Sequence, residues 1–232
     1  MTTVNILSGG AAQGLVRGLT AAFKAQTGLG IDGEFGAVGL MADKLRAGTP
    51  ADLVILTQAL LAKLAEENLV IPSSVADVGR VETALAVRNR DPKVTAKTEA
   101  DLREVLRGAD AIFVPDIKAS TAGQHVAKVL DQLGIAYEVA SRLKIFPNGA
   151  TAMRELAAST AQRPIGCTQA TEIIATDGIS LSGLLPPGCE LVTMYTAGVT
   201  ARAVHPAEAA ALIALLTGAD RKELRQRMGF TG

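Results

Sequence analysis

Five short stretches hold the residue types that could do chemistry: Ser8-Gly9-Gly10-Ala11, Gly36-Ala37-Val38-Gly39, Ser120-Thr121-Ala122-Gly123, Asn148-Gly149 and Thr168-Gln169-Ala170-Thr171-Glu172. Each lies between a strand-like run and a helical pattern. A helix start leaves backbone N–H groups unpaired and carries partial positive charge, so such turns suit anions. Small residues let a ligand approach the backbone. The side chains of Ser120, Thr121, Asn148 and Gln169 add neutral donors. Binding of a small anion is the chemistry they suggest. Each stretch also has a plainer reading. Gly and Ala make tight turns, Ser120 and Thr121 suit helix capping, and Asn-Gly is a favoured turn pair. Repetition of the same turn on neighbouring strands is what favours a site.

Acid–base chemistry has three candidates. Glu172 lies in the first turn of a helix, where the helix dipole stabilises a carboxylate. His125 sits one turn into its helix, and Tyr195 lies inside a strand-like run. Any of them could move a proton on a bound substrate, and each could equally serve packing or solvation. His205, before Pro206, reads as exposed. No Ser-His-Asp order, HExxH, GxxxxGK[ST] or GxGxxG occurs, which weighs against hydrolases, NTPases and dehydrogenases. Cys167 and Cys189 lack CxxC spacing, so neither a metal nor a cofactor is expected.

The elements that must position these residues follow from periodicity. Val4–Leu7 is an apolar run. Leu15, Leu19, Ala22 and Phe23 share one helix face, and Thr27-Gly28 ends that helix. Ile31–Phe35 alternates like a strand, Leu40–Ala47 is helical and Leu53–Leu56 is strand-like. Strand–helix–strand–helix–strand implies a parallel sheet with helices on both faces, and ligands bind outside the carboxyl ends of such strands. Helices are expected over 58–67, 100–107, 124–133, 150–158, 206–216 and 219–228. Strands are expected over 81–87, 111–114, 140–146, 165–168 and 191–203. The second series repeats the design of the first. Residues 81–87 and 192–199 are the natural crossing strands, giving one lobe over 1–82 and 197–232 and another over 83–196.

The chain has 232 residues, 48% hydrophobic and 20% charged, enough to bury a core. Lys plus Arg and Asp plus Glu number 23 each. This balance offers no broad basic field for nucleic acid, and the apolar runs are too short for membrane insertion. No secretory leader is read at the start. The expected location is cytoplasmic if the chain begins natively at Met1, and periplasmic if a signal peptide was removed.

With these segments placed, the chain resembles the molybdate-binding-protein-like branch of bacterial solute-binding proteins. The similarity runs from Val4 to Met228-Gly229-Phe230 and is carried by LRAGTPADLVIL at 45–56, with its Ala-Gly-x-Pro-Ala-Asp motif. Ser120-Thr121-Ala122-Gly123 and the following AKVLDQLGI also match. The resemblance implies a type II periplasmic-binding-protein fold: two α/β lobes, two crossing strands and a ligand cleft. Molybdate binders carry serine in the first two turns, where Ala11 and Ala37-Val38-Gly39 stand here, and tyrosine where Gln169 stands. This pattern is closer to a divergent branch similar to bacterial aconitate isomerase. The implied ligand is an organic acid, such as a di- or tricarboxylate, or an oxyanion other than molybdate. The implied contacts are Ser8, Gly9, Gly10, Ala11, Ala37, Val38, Gly39, Ser120, Thr121, Ala122, Asn148, Gly149 and Gln169. The implied partner is an ABC-type membrane transporter, and the alternative activity is a cofactor-free isomerase of an unsaturated carboxylic acid. Val38 adds bulk but no hydroxyl, so Val38→Ser is expected to weaken organic acids or improve molybdate.

Overall fold

The computed structural model describes residues 2–232. In chain order its elements are β1 (Thr3–Gly9), a 3-10 turn (Gly10–Ala12), α1 (Gln13–Thr27), β2 (Gly30–Gly36), α2 (Val38–Arg46), β3 (Leu53–Thr57), α3 (Gln58–Glu66) and β4 (Ala76–Arg88). Then come α4 (Glu99–Gly108), β5 (Ala111–Pro115), α5 (Thr121–Gln132), α6 (Ala136–Val139), β6 (Leu143–Phe146), α7 (Gly149–Ala158), β7 (Pro164–Gln169) and α8 (Ala170–Ile174). The chain ends with β8 (Ile179–Leu184), β9 (Val192–Val199), α9 (Pro206–Thr217) and α10 (Lys222–Arg227). Two units result. One runs up to Val81 and resumes over Thr193–Gly232; the other is Glu82–Val192. The chain passes between them within β4 and at the start of β9.

In the first unit β1 lies between β2 and β3, all three parallel, and β9 pairs antiparallel with β3. Leu53, Val54, Ile55 and Leu56 are all fully buried. A strand covered on both faces reads as a continuous apolar run, which is why β3 shows no alternation. Leu15, Val16, Leu19 and Phe23 form the buried face of α1. Gly28 ends that helix in a left-handed conformation, φ 75°, which glycine adopts without strain.

In the second unit β5 lies between β6 and β7, again parallel, while β4 runs antiparallel to both β7 and β8. Alternation along β5 splits the core. Ile112 and Val114 pack with Val126, Val129 and Leu130 of α5, while Ala111 and Phe113 pack with Met153 and Leu156 of α7. This period of two puts one helix layer on each face.

The structure departs from the sequence expectations at several boundaries. β4 is thirteen residues long, because pairing extends it through the polar positions Asp77, Arg80 and Glu82. β8 was not expected: Ser180, Ser182 and Gly183 dilute its apolar pattern, and it forms by pairing with β4. Residues 136–142 form α6 and a 3-10 turn, leaving β6 only Leu143–Phe146. α5 starts at Thr121, three residues early, because the Ser120 side chain accepts from Gly123 N–H and recruits a small-residue turn into the helix.

Asp52 ties the first unit together. It is 1% exposed, and its carboxylate accepts from the backbone N–H of Asn5 at 2.8 Å, Val204 at 2.7 Å and His205 at 2.9 Å. Its own N–H donates to Asn5 O, and its carbonyl accepts from Thr200 N–H. One side chain thus holds β1, β3 and the entry to α9. Asp52→Ala would leave three backbone N–H groups without their carboxylate partner and is expected to cost roughly 3 kcal/mol. Asp52→Asn, which keeps one acceptor oxygen, should cost less. Urea denaturation of the two variants checks the order.

Candidate functional site

Parallel strands align their carboxyl ends. In the first unit, Gly9, Gly36 and Thr57 therefore close β1, β2 and β3 on one sheet edge. The 3-10 turn leading to α1, and the helices α2 and α3, begin there. In the second unit, Pro115, Phe146 and Gln169 close β5, β6 and β7 on one edge, where the entries to α5, α7 and α8 lie. Within each unit the sequence-derived turns share an edge, the one that binds ligands in open parallel sheets.

The helix starts differ in how their amides are met. α5 is capped by Ser120 and α7 by Asn148, whose Oδ1 accepts from Thr151 N–H at 2.8 Å. α4 carries a full capping box between Thr98 and Asp101. Among the described residues, α1, the 3-10 turn before it, and α2 have no side-chain cap and no acidic residue in the first turn. Ser8 supplies no cap: it is fully buried and its hydroxyl donates to Gly9 O at 2.9 Å. Ala11 and Ala37 offer only small apolar side chains. Gly39 lies in the first turn of α2.

Gly9 is a point of close approach. A Cβ there would lie 2.8 Å from Val38 Cγ1 and 2.9 Å from Tyr195 Cε1. Val38 is 8% exposed and belongs to the core, so its backbone N–H, not its side chain, is what it can offer a ligand. A serine at 38 would open a gap over Gly9. Tyr195 is buried, and its ring stacks edge-on against Phe230, centroids 6.4 Å apart. His125 is half-buried with Nε2 2.8 Å from Cys189 O. Both cysteines are free and buried; burial pushes the Cys167 thiol up to about 12, far from a reactive thiolate.

Glu172 has a built seat. It is buried, and its Oε2 accepts from Thr168 Oγ1 at 2.6 Å. Backbone N–H groups of Gln169, Ala150 and Gly149 also donate to the carboxyl. The protein's own carboxyl thus occupies the start of α7, beside the Asn148 cap. Gly149 is required here: a Cβ would overlap Glu172 Oε2 and Thr168 Oγ1. The sequence turn Asn148-Gly149 therefore has a structural occupant that spacing could not reveal, because Glu172 arrives from another strand–helix junction. Desolvation by burial raises the Glu172 carboxyl to about 7, against the lowering effect of these hydrogen bonds.

Sequence reasoning missed one polar residue of this edge. Thr83, on β4, is 1% exposed and sits directly opposite Gln169 on β7. Its signal was a hydroxyl just ahead of the apolar run Ala84–Val87. An apolar-lined groove that includes Val87, Val94, Val105 and Ile165 lies by the amino-terminal end of β7, away from these turns.

A family model described as bacterial extracellular solute-binding protein matches residues 4–231. An aconitate isomerase from Pseudomonas sp is 27% identical over 241 residues, covering 99% of this chain and 88% of that protein. Among solved structures, the periplasmic molybdate-binding protein of Azotobacter vinelandii superposes with a TM-score of 0.81 at 17% identity, covering 99% of each chain. A sulfate-binding protein from Mycobacterium tuberculosis H37Rv does so with a TM-score of 0.75 at 19% identity, covering 99% of this chain and 86% of its own.

The Glu172 seat has a measurable consequence. Raised from 4.5 to about 7, this carboxyl keeps its proton in the folded chain at pH values where the unfolded chain releases it. Its contribution is fully present below pH 4.5 and is lost as pH rises through 7, by about 3 kcal/mol in all. Glu172→Gln cannot titrate. Its stability relative to the parent should rise by that amount between pH 4.5 and 8, as read by urea denaturation at both pH values. Gly149→Ala should destabilise at every pH.

Proposed function

We propose, since the chain belongs to the family of bacterial extracellular solute-binding proteins, that it captures a small organic acid, a di- or tricarboxylate, for uptake. The fold of that family, the type II periplasmic-binding-protein fold of two α/β lobes, matches the two units described above. The observation that carries the ligand class is the pair of uncapped helix starts at Gly10–Ala12 and Val38, on adjacent parallel strands. They offer backbone N–H groups, with no hydroxyl in reach from Ala11, Ala37 or Val38, whose side chains are buried. A carboxylate takes such donors in its plane. A tetrahedral oxyanion needs donors on every side and would leave acceptors unpaired, which is costly out of water. We assign Gly9, Gly10, Ala11, Ala37, Val38 and Gly39 to backbone contact, and Ser120, Thr121, Ala122 and Gln169 to the second unit's share. The partner on this reading is an ABC-type membrane transporter, with capture on the outer side of the inner membrane.

A second reading, a cofactor-free isomerase of an unsaturated carboxylic acid, is favoured by the 27% identical aconitate isomerase. It needs a group with a lone pair facing the substrate proton. Glu172 already accepts several hydrogen bonds, His125 is within hydrogen-bond reach of a carbonyl and Tyr195 is packed in a core. Binding is therefore the reading we place first.

Calorimetry against citrate, cis- and trans-aconitate, tricarballylate, succinate, sulfate and molybdate tests both. A carboxylate should bind at micromolar Kd, about −8 kcal/mol, and raise the melting temperature, with molybdate at least tenfold weaker. Molybdate binding as tight as the best carboxylate would refute the ligand class. Incorporation of deuterium into aconitate from deuterated water would move the second reading to first place.

A further inference from the structure

We infer that Thr83 and Thr171 are ligand-contacting, specificity-determining residues in the second unit, donating their hydroxyls to a carboxylate of the captured acid. This rests on the organic-acid reading above. Both residues are buried, Thr83 at 1% and Thr171 at 2% exposure. Both hydroxyl oxygens are out of solvent, and neither has a hydrogen-bond partner among the described residues. Buried polar groups are almost always paired, and leaving one unmet is destabilising. Two such hydroxyls at one strand end are an unexplained expense unless something completes them.

Their placement indicates what completes them. Thr83 and Gln169 are directly opposed in the antiparallel β4–β7 pair. Opposed residues project on the same face with Cβ atoms about 5 Å apart, so hydroxyl and amide stand side by side. Thr171 follows Gln169 by two residues, in α8. All three lie at the carboxyl end of β7, or opposite it, on the edge where β5, β6 and β7 deliver their turns. The neighbouring ionisable group, Glu172, is engaged by Thr168 and by backbone amides and leaves these hydroxyls to other acceptors. A carboxylate has four lone-pair sites, and two hydroxyls pair with it without adding charge. Backbone does not compete for Thr83: its N–H donates to Leu191 O and its carbonyl accepts from Leu185 N–H.

Thr83→Val and Thr171→Val test this, since valine keeps the shape and removes the hydroxyl. Each unliganded variant should melt at or above the parent temperature, because an unpaired buried group has been removed. Each should bind citrate, trans-aconitate or tricarballylate about tenfold or more weakly by calorimetry. Parent-like affinity in both variants, with the parent binding one of these acids, would overturn the assignment and leave the organic-acid reading standing; a water completing the hydroxyls would give that result. A marked fall in melting temperature of the unliganded variants would also overturn it, by revealing a structural partner. If the parent binds none of these acids, both this assignment and the reading beneath it fall.

Discussion

Every helix start leaves N–H groups that its own turns cannot pair, and the structure is organised by how each set is met. In the second unit the protein meets most of them itself. Ser120, Asn148 and the Thr98–Asp101 box supply caps, and Glu172 brings a carboxyl across to α7. In the first unit α1 and α2 begin without side-chain caps. The protein meets this demand largely with its own side chains in the second unit, and without side-chain caps at α1 and α2 in the first. The second is rich in neutral donors and already holds one carboxyl.

The two buried carboxyls show that the same group serves opposite ends. Asp52 gathers amides as far as 153 residues away from it in sequence, so its value is to close the first unit on itself. Glu172 meets both Thr168, four residues away, and the backbone of Gly149 and Ala150 from another junction, and so fixes the mutual position of the α7 and α8 entries. Burial drives its proton affinity up, while the donors around it limit the rise. Such a group is a rigid support for the residues beside it.

Close packing on the first edge enforces the same economy. Val38 and Tyr195 both press on Gly9, so no side chain is tolerated at the end of β1. The turn is small because its neighbours fill the space. A valine stands at this helix start because its branched side chain completes the core.

Much of this was legible in the residues alone. The periods of 3.6 and 2, the glycine helix stop at Gly28 and the apolar run of β3 are local, and they dictated the repeated strand–helix units and the edge on which their turns fall. The Ala-Gly-x-Pro-Ala-Asp motif pointed to the family. What remained hidden were contacts made by residues distant in sequence. Nothing near Asp52 announces that it will cap the backbone at Val204 and His205, and nothing near Asn148-Gly149 announces Glu172. β8 is a strand only because β4 pairs with it, and only register sets Thr83 opposite Gln169. Local sequence determines which backbone groups its own turns will leave unpaired; only the tertiary structure decides which side chain, arriving from elsewhere, satisfies them.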